Sequence, residues 1–95
     1  MTSEKNLQDY LLRKCKFNGV YARKMQAVGH VGFPDVLLAI YGDAYFVELK
    51  SPTGLGRLSV KQARELERMS EAGLNIIVID SKEQVDDLIV SIVDA

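Results

Sequence analysis

Two carboxylates and a lysine are the residues best placed to do chemistry in this chain. Asp35 follows the turn Gly32-Phe33-Pro34 and opens the apolar run Val36-Leu37-Leu38-Ala39-Ile40. Glu48 and Lys50 stand near the end of a second apolar run, Tyr45-Phe46-Val47-Glu48-Leu49-Lys50. Between the runs, Tyr41-Gly42-Asp43-Ala44 has the composition of a hairpin turn. Side chains alternate along a strand, so Phe46, Glu48 and Lys50 share one face while Tyr45, Val47 and Leu49 share the other. A hairpin can then bring Asp35 beside Glu48 and Lys50, a set suited to a divalent cation and a water nucleophile. The same residues also suit an exposed strand, where charge guards against edge-to-edge pairing, and Pro-Asp is ordinary turn chemistry.

Taken together, Gly32-x-Pro34-Asp35, a hairpin and Glu48-x-Lys50 resemble the core of the PD-(D/E)xK nuclease superfamily. The segment Gly56-Arg57-Leu58-Ser59-x-x-Gln62, opening a helix, is similar more narrowly to the VRR-NUC family, and the resemblance runs from Glu4 to about Ser81. It implies a compact α/β, restriction-endonuclease-like core and metal-dependent hydrolysis of DNA phosphodiesters. Short stand-alone members resemble Holliday-junction resolvases, which implies branched DNA as the substrate and a place in DNA repair or recombination. On the same footing, Asp35, Glu48 and the main-chain carbonyl of Leu49 are implied to bind Mg²⁺ or Mn²⁺, and Lys50 to hold the attacking water and offset phosphate charge. Glu4 matches a family glutamate on the first helix, where it supports a second ion or orients the first ligands. Gln62 is implied to orient a water or phosphate beside the metal.

Local patterns offer plainer roles for two of these residues. Glu4 is an acid in a first helical turn, favoured there by the helix dipole. Ser59-Val60-Lys61-Gln62 has the pattern of a capping box, which explains Gln62 without any site. Ser81-Lys82-Glu83-Gln84 repeats that pattern away from the candidate chemistry.

Around these residues the chain reads as αβββαβα, a mixed sheet flanked by helices. Thr2 or Ser3 caps a first helix reaching about Cys15, with Glu4, Leu7, Leu11 and Cys15 on one stripe. Asn18-Gly19 is a turn, and residues 20–26 form the first strand, on which Arg23 and Lys24 point to opposite faces and so cannot both meet DNA. A helix from Val60 to Ala72 turns Ala63, Leu66 and Met69 inward and stops at Gly73. Residues 74–79 form a nearly continuous apolar strand, expected mid-sheet and covered on both faces. Val85, Leu88, Ile89 and Ile92 then mark a final amphipathic helix.

The 95 residues make one domain, 1–95, and the 47% hydrophobic and 26% charged composition is that of a globular chain. No apolar run approaches the roughly 20 residues of a membrane span, and the polar N-terminus lacks a signal-peptide pattern. One cysteine and one histidine exclude an internal disulfide and a zinc cluster; a reducing cytoplasm, bacterial or phage-infected, fits. The net charge of −1 conceals a division: residues 1–64 carry ten Lys/Arg against five Asp/Glu, whereas residues 65–95 carry two against eight. That distribution argues for one basic surface. Lys24, Arg57, Lys61 and Arg64 are its candidate DNA contacts; Arg57 suits a bidentate phosphate contact, and the loop residue His30 suits a phosphate better than general-base catalysis. A symmetric homodimer would supply the paired cuts that a junction needs. Two other classes remain open, a non-catalytic nucleic-acid-binding domain and a small α/β protein-interaction domain.

Overall fold

Ser3 starts the first helix by accepting the Asn6 amide on its hydroxyl at 3.0 Å. A computed structural model describes residues 3–30, 32–51 and 58–94; Thr2, Gly56 and Arg57 lie outside them. The elements follow the expected order: α1 Glu4–Phe17, β1 Tyr21–Lys24, β2 Val36–Ile40, β3 Asp43–Leu49, α2 Val60–Glu71, β4 Asn75–Ile79 and α3 Lys82–Val93. The strands lie in sequence order, with β1, β2 and β3 antiparallel and β4 parallel to β3. The sheet is therefore mixed, because a parallel neighbour needs a crossover and α2 supplies it.

The hairpin turn is tighter than its composition suggests. Tyr41 and Gly42 both have positive φ, 49° and 86°, the backbone of a two-residue hairpin turn matched to strand twist. Asp43 and Ala44 consequently belong to β3, opposite Ile40 and Ala39. The Tyr41 hydroxyl donates to the Ile92 carbonyl and ties the tip of the hairpin to α3.

The core lies on one face of the sheet. Val36 and Leu38 from β2, Val47 and Leu49 from β3 and Ile79 from β4 alternate onto that face and are buried. Leu7, Leu11 and Cys15 of α1 and Val85 and Ile89 of α3 close over them. Each large aliphatic side chain removed from water there contributes about 1.5–3 kcal/mol. Burial also pushes the Cys15 thiol up to about 11, so this cysteine is a packing residue without thiolate character.

The opposite face carries Phe46 and Glu48, with α2 against it. Three expectations fail here. β1 stops at Lys24, two residues short. Ala63 is exposed, because α2 buries Leu66 and Met69 and turns Gln62 and Glu65 toward the sheet in its place. β4 is the outermost strand of the described sheet, with Val78 44% and Leu74 42% exposed. A continuous apolar run does not separate a central strand from an edge strand whose second face is only partly covered.

Candidate active site

Asp35 is fixed by its backbone before its side chain does anything. Its amide donates to the Val47 carbonyl at 3.1 Å and its carbonyl accepts from Met25 at 2.8 Å, holding it between β1 and β3 just ahead of β2. Its carboxylate then reaches the end of β3 and accepts the Leu49 amide at 3.2 Å. The next amide, Lys50, donates the other way, to Ile79 on β4, at 2.8 Å. Across a trans peptide the carbonyl of Leu49 opposes the Lys50 amide, so it opens toward Asp35.

Glu48 and Lys50 extend from β3 on the face that α2 approaches. Glu48 is 2% exposed and Lys50 8%, unusual burial for charged residues unless they are paired. The Lys50 ammonium donates to Gln62 Oε1 at 2.9 Å and forms ion pairs with Glu4 Oε1 at 3.5 Å and Glu48 Oε2 at 3.7 Å. Gln62 Nε2 donates to Glu48 Oε2 at 3.3 Å.

Gln62 completes its helix cap and also bonds to Lys50 and Glu48. Ser59 Oγ accepts the Gln62 amide at 3.1 Å while Gln62 Oε1 accepts the Ser59 amide at 2.9 Å, a complete capping box. The same Oε1 accepts from Lys50, and the two donors together fix the orientation of the amide group. The helix cap therefore aims the side chain at the site. Gln84 does not duplicate it: its amide donates to Ser81 Oγ at 3.2 Å, but its Oε1 takes the Asp80 amide at 2.6 Å, one residue before the cap.

A hollow of about 410 Å³ gathers Glu4, Asp35, Glu48, Lys50, Gln62 and Leu49. Lys5 and Gln8 line it too and were missed by sequence reasoning. Gln8 sits four residues after Glu4 on α1, a spacing that places it on the same helical face and was there to be read. Gly32 was noticed for its motif and not for its contact. A Cβ there would stand 2.9 Å from the Gln62 Cα and 3.0 Å from the Lys61 carbonyl, so this glycine lets the loop lie directly on the first turn of α2.

The expected DNA contacts are more scattered. Lys24 ends β1 and is exposed, and Met25, the residue after it, bonds to Asp35. Lys61 is exposed in the first turn of α2. Arg64 is exposed on the outer side of that helix, beside Glu67, Arg68 and Glu71. His30 is exposed in the loop before Gly32. Arg57 lies outside the described residues.

The electrostatics single out Glu48. Burial, and next the neighbouring Asp35 carboxylate, push its pKa from 4.5 up to about 7 against the opposing pull of Lys50. Its Oε1 is buried with no hydrogen-bond partner among the described residues, a costly state for a carboxylate oxygen. A hard cation would satisfy it, and the donors at hand (Asp35, Glu48 and the Leu49 carbonyl) are the oxygens such ions take. Among the described residues no group of three or more His, Cys, Asp or Glu side chains is arranged to hold a metal. Two carboxylates and a carbonyl fit an ion that keeps several waters.

Two tests follow from this geometry. Gly32→Ala forces a Cβ into the α2 backbone at a φ of 91°, whereas Gly29→Ala meets a similar φ of 82° in open space. Gly32→Ala should therefore lose about 1–3 kcal/mol and clearly more than Gly29→Ala in urea unfolding; equal losses would deny the contact. The second test concerns Glu48, whose native pKa lies above its unfolded value. Between about pH 4.5 and 7 the native state binds the extra proton, so this group makes stability fall as pH rises through that window. In chelated, metal-free buffer the melting temperature of Glu48→Gln should decline less from pH 5 to 8 than that of the parent; parallel profiles would contradict the assignment.

No family model matches the chain, and no curated protein matches it. Among solved structures, a chain described as a VRR_NUC domain is 34% identical, covers 94% of this chain and 96% of its own length, and superposes with a TM-score of 0.79. That identity over nearly the full length of both chains, on one fold, shows that the chain belongs to the VRR-NUC domain family.

Proposed function

We propose that this protein is a divalent-metal-dependent endonuclease that hydrolyses DNA phosphodiesters, with branched DNA as its preferred substrate. Membership of a nuclease-domain family supports the reaction class. The observation that carries the metal dependence is Glu48 Oε1, buried beside Asp35 with no hydrogen-bond partner among the described residues, with Lys50 and Gln62 behind it. Asp35, Glu48 and the Leu49 carbonyl would hold Mg²⁺ or Mn²⁺. Bound there, the ion would acidify a water and neutralise charge on the scissile phosphate.

The protein's own groups do the positioning. Gln62 and Glu48 fix the Lys50 ammonium so that its charge stands beside the reacting phosphate without having to be reorganised. Glu4 is the most exposed of its partners, with 49% of its side chain open to solvent. Water or a phosphate oxygen can take its place beside the Lys50 ammonium when DNA enters. Water oxygen then bonds to phosphorus as a bridging P–O bond breaks, and a proton passes to the departing oxygen. Lys24, His30, Arg57, Lys61 and Arg64 serve as phosphate contacts, and the exposure of Lys24, His30, Lys61 and Arg64 leaves them free for it.

The working unit is a homodimer, which places two sites on one junction. Exposed Leu74 and Val78 near the sheet edge and Val90 and Val93 on α3 support an interface in the acidic part of the chain. No described helix is long and apolar enough to cross a membrane, and the single buried cysteine suits a reducing, cytoplasmic setting.

Activity tests the proposal. Asp35→Ala and Glu48→Ala should abolish cleavage of a four-way junction with Mg²⁺ or Mn²⁺, and Lys50→Ala should abolish or greatly slow it while sparing metal binding. Gln62→Ala should lose both turnover and about 1 kcal/mol of stability, whereas Gln84→Ala should lose only stability. Metal binding without cleavage of any DNA would leave a non-catalytic binding domain. The assembly is tested separately by sedimentation at micromolar concentration, which should give twice the 10.6 kDa chain mass, and by competition, in which junctions should displace linear duplex. A monomer that persists on junction DNA would remove the dimer and leave the chemistry standing.

A further inference from the structure

Strand alternation puts Arg23 and Lys24 on opposite faces of the sheet, yet both line one hollow. β1 is the outermost strand on its side of the described sheet, and a groove running along an outer strand can be reached from either face. The groove lies between β1 and the C-terminal half of α1 and has a volume of about 480 Å³. Leu12, Val20 and Ala22, all partly buried, line it with Lys16, Arg23 and Lys24. No acidic side chain lines it, and none of its three cations has an ion-pair partner among the described residues. The guanidinium of Arg23 lies over the Tyr21 ring at 4.1 Å and donates to the Ala22 carbonyl at 2.7 Å, which holds it in place.

The position of the groove decides what it fits. Lys24 pairs with Val36, the residue after Asp35, so one end opens beside the candidate site. α1 begins at the site with Glu4, and Lys16 lies twelve residues further along it, about 18 Å away at 1.5 Å per residue. That span equals about five base pairs at 3.4 Å each. We infer that the α1–β1 groove is a second DNA-backbone surface, in which Lys16, Arg23 and Lys24 hold phosphates of the substrate about half a helical turn from the bond being cut. The inference rests on the nuclease reading for its substrate. Its own support is the placement and charge of the groove. Such a surface contributes affinity and register and reads no bases.

The salt dependence of binding tests it. Fluorescence anisotropy would follow a labelled four-way junction binding to the full chain in Ca²⁺ buffer across a salt series. Lys16→Ala/Arg23→Ala, confirmed folded by its melt, should weaken binding by about tenfold or more at 0.1 M salt. It should also make the slope of log affinity against log salt shallower by about 1.8, at 0.9 per lost phosphate contact. Lys16→Arg/Arg23→Lys should restore the parent slope. Lys82→Ala, which removes a cation on α3, should leave the slope unchanged. A double-alanine variant with the parent's slope and affinity would overturn the groove, as would an equal slope change in Lys82→Ala. Mg²⁺-dependent cleavage by the parent, measured in parallel, separates the two ideas. Cleavage with an unaltered variant slope defeats the groove alone, and binding that weakens as expected without any cleavage defeats the nuclease reading alone.

Discussion

A carboxylate with 2% of its surface in contact with water must be compensated, and around Glu48 that requirement organises the site. One of its oxygens takes the Gln62 amide and lies near the Lys50 ammonium; the other takes nothing among the described residues. Removing one partner from a buried charged pair commonly costs several kcal/mol, because the remaining charge keeps its desolvation penalty. Lys50 and Gln62 are therefore constrained twice, by the stability of the cluster and by what the cluster can do. The raised pKa of Glu48 expresses the same tension, since the protein alone does not supply enough positive charge to keep this carboxylate fully ionised at neutral pH.

The fold serves that cluster through backbone contacts as much as through side chains. Asp35 is held by hydrogen bonds to two neighbouring strands, so its carboxylate arrives at Leu49 at a set position. Gln62 is aimed by its own helix cap, and the helix is seated by Gly32, where the chain passes too close for any side chain. Glu4 is different: it sits in the first turn of α1 with its side chain half exposed, 3.5 Å from Lys50. Groups fixed by backbone contacts thus surround the buried carboxylate, and the exposed acid stands beside them.

Much of this was legible in the sequence, for identifiable reasons. Leu7, Leu11 and Cys15 recur at helical spacing, and all three are buried where α1 meets the sheet. The hairpin that brings Asp35 to Glu48 and Lys50 could be drawn from turn chemistry and alternation alone. What escaped was decided by tertiary contacts. The apolar run of β4 reads as a central strand, because nothing in it records that α2 leaves Val78 exposed. For Gln62 the local pattern showed only the cap; that the same oxygen also accepts from Lys50 depends on how α2 meets β3. Arg23 and Lys24 do alternate across β1, yet both line the hollow beside α1, which alternation alone does not reveal on an outer strand.

In the proposed cation site, Glu48 Oε1 would be a ligand alongside Asp35 and the Leu49 carbonyl. A crystal structure determined with Mn²⁺ at saturating concentration, using its anomalous scattering, tests that site without reference to any activity. The expected result is a strong anomalous peak in the hollow, within bonding distance of Glu48 Oε1, an Asp35 carboxylate oxygen and the Leu49 carbonyl, and not shared by the Lys50 ammonium. An intact fold with no peak there, or with Glu48 Oε1 hydrogen-bonded to an ordered water while Mn²⁺ sits elsewhere, would contradict it.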